Sequence, residues 1–286
     1  MIIKNKKAPI VLVDYDGIIC KAFYAALAED ALDKAEGILI RIVSEIKHAY
    51  PQSPLFLIAS KQSYKKTLYP TYKAKRSKNK LLKVFKDYII QNYEGITIPT
   101  FEADDIIILL KDCFELVRPN REVIIISDDK DMHNLHNKCA KIKEPKKLLE
   151  FNPNVFFEQL LKGDKEGNVK GIPNIGSKRA AKLLQEEGGQ CTIATIARIY
   201  KKLGQSIDNA IENINLIMPL TLKYCNIENT EGLASYFLSL FLYDLQKYAS
   251  LRHSYTAMEA FRICEIVRSE NLKYIENDVL QTYMEG

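Results

Sequence analysis

Three apolar runs, rich in β-branched residues and without polar alternation, organise the first half of the chain. They occupy residues 8–13, 54–59 and 122–127. Runs of this kind suit strands buried on both faces. A short strand is expected at 139–143, and a strand-like run covers 96–98. Between the runs the apolar positions change to helical spacing, as in Ile38, Ile42, Ile46 and Ala49, stopped by Pro51. Residues 22–27, 106–110 and 156–161 also read as helix. Alternating strands and helices predict an α/β fold with a central, mostly parallel sheet flanked by helices. Residues 190–286 read as helix and loop without a chemical constellation, and Gly188-Gly189 marks a break before them.

Bulk composition narrows the class only slightly. The chain has 286 residues, 47% hydrophobic and 27% charged, as ordinary globular domains have. No run approaches the ~20 apolar residues of a membrane-spanning helix. The Lys-rich start passes into the first strand without a signal-peptide pattern. A cytoplasmic protein with no membrane association is expected. Six cysteines are scattered without a C-x-x-C pair, and the four histidines show no ligand spacing, which argues against disulfides and structural zinc. A net charge of +5 says little until its distribution is read.

The acids are where the chemistry concentrates. Glu102, Asp104 and Asp105 crowd four positions at the start of a helical run. Acids in a first turn can simply complement the helix dipole. Here, however, further acids follow the strands: Asp14 after the first, and Asp128, Asp129 and Asp131 after the third. Ligand sites in open α/β sheets lie at the carboxyl ends of strands. Converging carboxylates there call for a hard divalent cation with oxygen ligands. Asp164 and Glu166 add acids in a later loop.

The cations are segregated from them. Residues 61–86 contain ten Lys or Arg and no acid, with Tyr64, Tyr69 and Tyr72 interleaved. A solvated face normally mixes signs. A one-sign run with aromatic rings suits phosphates and unpaired bases. Residues 171–184 then form a glycine-bounded turn that opens a basic amphipathic helix, with Gly171, Ile175, Gly176, Ser177, Lys178 and Arg179. Such a turn can contact phosphates through backbone N–H groups; a plain turn between packed helices is the alternative.

Five of these pieces, in this order, resemble the 5′-nuclease or flap-endonuclease family, which includes bacteriophage 5′-exonucleases, RNase H-type nucleases and the 5′-nuclease domain of bacterial DNA polymerase I. They are Val11-Leu12-Val13-Asp14 with Lys21, the basic segment with Pro70-x-Tyr72-Lys73-x-x-Arg76, and Glu102-Ala103-Asp104-Asp105. The others are Ser127-Asp128-Asp129-Lys130-Asp131, and Gly163-Asp164 with the turn 171–176. The resemblance spans residues 8–185. It implies a PIN-like nuclease core over 1–160 carrying a basic helical arch at 61–92. A helix–hairpin–helix region and a helical C-terminal part would fill 161–286.

The same resemblance implies two Mg²⁺-type ions, with Mn²⁺ able to substitute. Asp14, Glu102, Asp104 and Asp105 would serve one, and Asp129, Asp131 and Asp164 the other. Lys73 and Lys21 would neutralise the scissile phosphate. Lys65, Tyr72, Arg76 and the residues of the 171–179 turn would contact nucleic acid, with K⁺ at the hairpin. The implied activity is 5′-3′ exonuclease and flap endonuclease action on DNA with free 5′ ends or flaps, with RNase H activity on RNA–DNA hybrids. A monomer is implied, working beside a single-strand binding protein or polymerase, in the host cytoplasm if the gene is a phage's.

Two positions depart from the family pattern. The end of the second strand, where the family usually has an aspartate, reads Leu57-Ile58-Ala59-Ser60, with no acid at Ile58, and Gly167 stands where a second loop aspartate is usual. Asp16, Asp128 or Glu166 are the acids nearest to replacing them. The departures leave open a catalytically impaired, structure-specific DNA-binding protein. Asp14-x-Asp16-Gly17 also resembles the nucleophile motif of haloacid-dehalogenase-like phosphatases, a reading that leaves residues 102–105, the basic segment and the hairpin unexplained.

Overall fold

The computed structural model describes residues 7–76, 79–93, 95–189, 191–225, 227–246 and 253–284. In chain order its first elements are β1 (Ile10–Asp14), α1 (Tyr15–Ala28), α2 (Ala35–Ala49), β2 (Leu55–Ile58), α3 (Lys65–Leu68), α4 (Lys80–Asn92), α5 (Ala103–Val117) and β3 (Val123–Ile126). There follow α6 (Lys130–Leu135), β4 (Cys139–Ala140), α7 (Pro153–Lys162), β5 (Gly163–Asp164), β6 (Val169–Lys170), α8 (Ser177–Glu186), α9 (Ile193–Lys202), α10 (Ile207–Ile217), α11 (Thr230–Gln246) and α12 (His253–Met284). They form two compact units, neither continuous in sequence. One comprises Met1–Ser63, Lys78–Phe151 and Asn229–Glu265; the other comprises Tyr64–Ser77, Asn152–Glu228 and Ile266–Gly286.

The first unit holds a parallel sheet in the order β2-β1-β3-β4. Its strands are buried on both faces, which is why they read as unbroken apolar runs. On one face Val11, Val13, Leu57, Ile124 and Ile126 pack with Ile18, Ile19 and Ala22 of α1, Leu39, Val43 and Ile46 of α2, and Ile89 of α4. On the other, Phe56 stacks on Phe114 of α5 at 6.0 Å and meets Phe241 of α11 edge-on at 5.6 Å. The strand-like run at 96–98 contributes one parallel bridge, Ile58 to Ile96. Because β2 and β3 lie on opposite sides of β1, the order reverses between β1 and β3. Open α/β sheets bind ligands beyond the carboxyl ends of strands at such a reversal.

The second unit joins helices α7 to α10 to a two-stranded antiparallel ribbon, β5-β6, in the stretch that reads as a loop in the sequence. The ribbon depends on two glycines. Gly163 has φ 78°, and a Cβ on Gly171 would stand 2.0 Å from the Lys162 carbonyl carbon, so neither position tolerates a side chain. Asn152 caps α7, with Pro153 at its first position. Tyr200 of α9 donates to Leu160 O at 3.0 Å and accepts from Asn213 of α10 at 2.7 Å; Asn213 also donates to Lys170 O at 2.6 Å. This buried network ties the ribbon to three helices. Gly188 and Gly189, at φ 88° and 72°, close α8 with left-handed residues, and the chain continues within the same unit. Among the described residues, no helix is long and apolar enough to cross a membrane.

Candidate metal centre and basic segment

In the first unit, α5 starts on three carboxylates. Glu102 is its N-cap residue yet makes no side-chain cap hydrogen bond, and Asp104 and Asp105 fill the first turn. Oxygens of all three lie within 4.8 Å of one another, although Glu102 is 8% exposed and Asp105 fully buried. Acids that merely served the helix dipole would spread into solvent. Three ionised groups packed this closely in low dielectric repel one another and lose hydration. An all-oxygen set of this charge and spacing fits a hard divalent cation.

Asp14 ends β1 at the point where the strand order reverses. It caps α1 by accepting from Gly17 N at 3.2 Å, and its other oxygen accepts from Ser127 Oγ at 2.9 Å. Burial, with Asp16 and then Asp129 nearby, raises its pKa from 3.8 to about 7, against the opposing effect of those two hydrogen bonds. Ser127 in turn accepts from Asp129 N at 3.0 Å, so one hydroxyl links the ends of β1 and β3. Asp129 caps α6 through Asp131 N at 2.9 Å. His133 bonds the Ser127 carbonyl at 2.7 Å through Nε2, fixing α6 against the strand end. Ser127→Ala removes the donor to Asp14. It is expected to destabilise the metal-free protein by about 1–3 kcal/mol at pH 8, where Asp14 is charged, and by less at pH 5; paired thermal melts check this.

The tight cluster gathers Glu102, Asp104 and Asp105; Asp14, Asp129 and Asp131 are held by β1, β3 and α6 rather than by α5. Ser60, just beyond β2, connects two of the acidic turns. Its hydroxyl accepts from Ala103 N at 2.8 Å and its own N–H donates to Asp16 at 3.1 Å. Asp16 also pairs with Lys86 of α4 at 2.7 Å, and Asp128 pairs with Lys21 and accepts from Ile142 N at 3.1 Å. Both acids are therefore engaged as anchors, and Lys21 meets a carboxylate rather than open solvent. The sequence reading gives Ser60 and Ser127 no role of their own and passes over His133 and Lys86. The rule that placed Asp14 at a strand end applies equally to the two serines.

In the second unit, Asp164 ends β5. Its oxygens accept from Glu166 N at 3.1 Å and Gly167 N at 2.7 Å, closing the turn between β5 and β6. A Cβ at Gly167 would lie 2.6 Å from Asp164 Oδ2. Glu166 is exposed and meets Arg76 at 3.8 Å. Residues 65–76 form a short helix and a turn. Two of the expected nucleic-acid contacts there are buried: Lys65 is 1% exposed and Tyr72 5%. The Lys65 ammonium lies 6.0 Å from the Tyr64 and Tyr72 ring centres, and the Lys73 ammonium 4.8 Å from that of Tyr72. The Tyr72 ring is thus a packed support for a cation rather than an open stacking platform. Lys73 and Arg76 stay near the surface, as do Gly176, Ser177, Lys178 and Arg179 at the start of α8. The Ile175 side chain is buried, which anchors the hairpin.

Comparison with known proteins agrees with this arrangement. A family model described as the 5′-3′ exonuclease, N-terminal resolvase-like domain, matches residues 9–160. A 5′-3′ exonuclease of Buchnera aphidicola (from Schizaphis graminum) is 29% identical over 224 residues, covering 70% of this chain and 75% of its own. DNA polymerase I of Mycobacterium tuberculosis is 25% identical over 237 residues, covering 70% of this chain but only 25% of its own, so the chain spans about a quarter of that relative. Among solved structures, T5 5′-exonuclease with bound zinc ions matches with TM-score 0.56 and 15% identity, over 91% of this chain and 99% of its own. A T5 flap endonuclease complex with DNA and metal ions matches at TM-score 0.52 and 13% identity, over 90% and 99%. At those identities the structural likeness establishes the fold. With its acidic strand ends, its parallel sheet and a family match across more than half its length, the chain belongs to the 5′-3′ exonuclease family.

Proposed function

We propose that this protein is a divalent-metal-dependent 5′-3′ exonuclease and flap endonuclease that hydrolyses phosphodiesters at DNA 5′ ends and flaps. The observation that carries the reading is the Glu102–Asp104–Asp105 cluster at the start of α5 in a chain of this family. Those three, with Asp14, are the proposed ligands of a Mg²⁺-type ion for which Mn²⁺ can stand in. Asp129 and Asp131 are the proposed ligands of a second, and Asp164, in the second unit, is a further proposed metal-binding acid. Divalent cations supply activated water and charge neutralisation at the leaving oxygen of an in-line displacement.

The chain's own groups bind and orient the substrate. Lys73 neutralises the scissile phosphate, and Arg76 contacts the 5′ strand. The N–H groups and cations at the start of α8 hold duplex phosphates without reading sequence, with K⁺ at the hairpin. Lys21, engaged by Asp128, contributes to phosphate binding only when that half-exposed pair opens. Cleavage of RNA–DNA hybrids, action as a monomer in the cytoplasm, and docking of a single-strand binding protein or polymerase belong to the same reading.

The absence of acids at Ile58 and Gly167 favours a second reading, a DNA-binding protein with impaired catalysis, because metal affinity depends on the number of charged ligands. One assay separates the two: cleavage of a 5′-flap duplex over a titration of Mg²⁺ and Mn²⁺, with binding followed by anisotropy. Metal-dependent release of the flap, abolished by EDTA, is the expected result. Tight binding without cleavage at any metal concentration would establish the second reading. The phosphatase alternative is set aside by the family match, and Asp16, held by Lys86 and Ser60, is an anchor rather than a proton donor.

A further inference from the structure

Lys73 has φ 53°, a left-handed backbone that a lysine adopts only at a cost. It is the third residue of a turn closed by Ala74 N donating to Thr71 O at 3.1 Å. That position ordinarily falls to glycine or asparagine. An isolated turn would escape by rotating the Tyr72–Lys73 peptide plane. In this structure that plane is held: Lys73 N donates to Gly167 O at 2.8 Å. The turn's first residue is held as well, because Asn168 Nδ2 donates to Thr71 O at 2.9 Å. Asn168 is itself left-handed, at φ 59°. The Tyr72 ring packs 3.4 Å from where a Gly167 Cβ would stand and carries the Lys73 ammonium on its face. Arg76 Nε adds a bond to Glu166 O at 3.3 Å. All of these groups lie within the second unit.

We propose that Asn168, acting with the Gly167 carbonyl, is a positioning residue for Lys73. The loop between β5 and β6 selects the left-handed conformer of the turn and so fixes where the Lys73 ammonium meets a phosphate. This rests on the phosphate-neutralising role given to Lys73 above. It also gives the residue at 167 a use that needs no carboxylate: its N–H orders Asp164 while its carbonyl orders Lys73. The acid-bearing loop and the basic turn then move as one hydrogen-bonded body.

The test is a double-mutant cycle read by single-turnover cleavage of a 5′-flap duplex at saturating metal. Asn168→Gly keeps the left-handed backbone without strain and deletes the donor; Asn168→Asp keeps the shape and replaces the donor with an acceptor. Each is expected to slow cleavage about tenfold, the rate equivalent of one lost hydrogen bond. In a Lys73→Ala background neither should slow it further, and the thermal midpoints of the single variants should stay near wild type. An Asn168→Gly rate equal to wild type overturns the proposal. So does the same fold-loss persisting in the Lys73→Ala background, which marks a merely structural role. If Lys73→Ala itself cleaves normally, both the proposal and the role of Lys73 fall; if Lys73→Ala is slow and Asn168→Gly is not, only the proposal does.

Discussion

Asp104→Ala is expected to abolish metal-dependent cleavage while leaving DNA binding unchanged or tighter. Asp104 is half-buried in the first turn of α5, between two acids buried almost completely. Its Oδ1 already accepts from Asp105 N at 2.9 Å, which orients the carboxylate without neutralising it. Removing it takes one negative ligand out of a set of three whose oxygens lie within 4.8 Å of one another. A catalytic cation contributes several kcal/mol of charge stabilisation, and each 1.36 kcal/mol is tenfold in rate, so loss of about 4 kcal/mol predicts a fall on the order of 10³-fold. The backbone is little perturbed, because alanine is a good helix former at this position. Repulsion of incoming phosphates falls, so affinity measured by anisotropy without divalent ions should not weaken. Wild-type turnover by this variant would remove the α5 acids from the metal assignment. Loss of binding together with loss of cleavage would point to misfolding instead.

Asp14→Asn is expected to stabilise the metal-free protein at pH 8 and to leave it inactive. The pKa of Asp14 is raised from 3.8 to about 7, chiefly by burial and then by Asp16. Below pH 3.8 the carboxyl is protonated in folded and unfolded chains alike, and nothing is lost. As pH rises from there through about 7, the unfolded chain releases the proton first, and stability drops. Above that range the penalty levels off. A rise from 3.8 to about 7 corresponds to an upper figure of about 4 kcal/mol; Asp14 retains some solvent contact, so about 2–4 kcal/mol is expected. Asparagine carries no such charge. Melts in EDTA should show the variant gaining over wild type at pH 8 and not at pH 4. Divalent metal should raise the wild-type melting point at pH 8 more than that of the variant. A wild type at least as stable as Asp14→Asn at pH 8 in EDTA would overturn the account. Such a trade, in which a functional acid destabilises the fold that holds it, is common at catalytic sites.

Much of this site was legible because its signals are local. An apolar run ending in Asp14, or the spacing of Glu102, Asp104 and Asp105 before an apolar helix, can be read within a dozen residues. The turn at 171–176 and the one-sign charge of 61–86 are legible for the same reason. Ser60 and Ser127 were not, since a serine after a strand is unremarkable until its hydroxyl is seen bridging Ala103 to the α1 turn, or Asp14 to Asp129. Lys65 and Tyr72 show the opposite case. Their chemistry suits nucleic acid, but both are buried, which residue type and spacing do not reveal.

The order of strands and helices, the acids at the strand ends, and the segregation of positive charge were all set by the sequence, because each depends on residue type and spacing along the chain. Which acids share one cation-sized space, which are tied up by Lys21 and Lys86, and why a lysine stands in a left-handed turn were decided only by tertiary structure. Those outcomes depend on desolvation and on hydrogen bonds between residues up to 113 positions apart, which no spacing rule along a chain encodes.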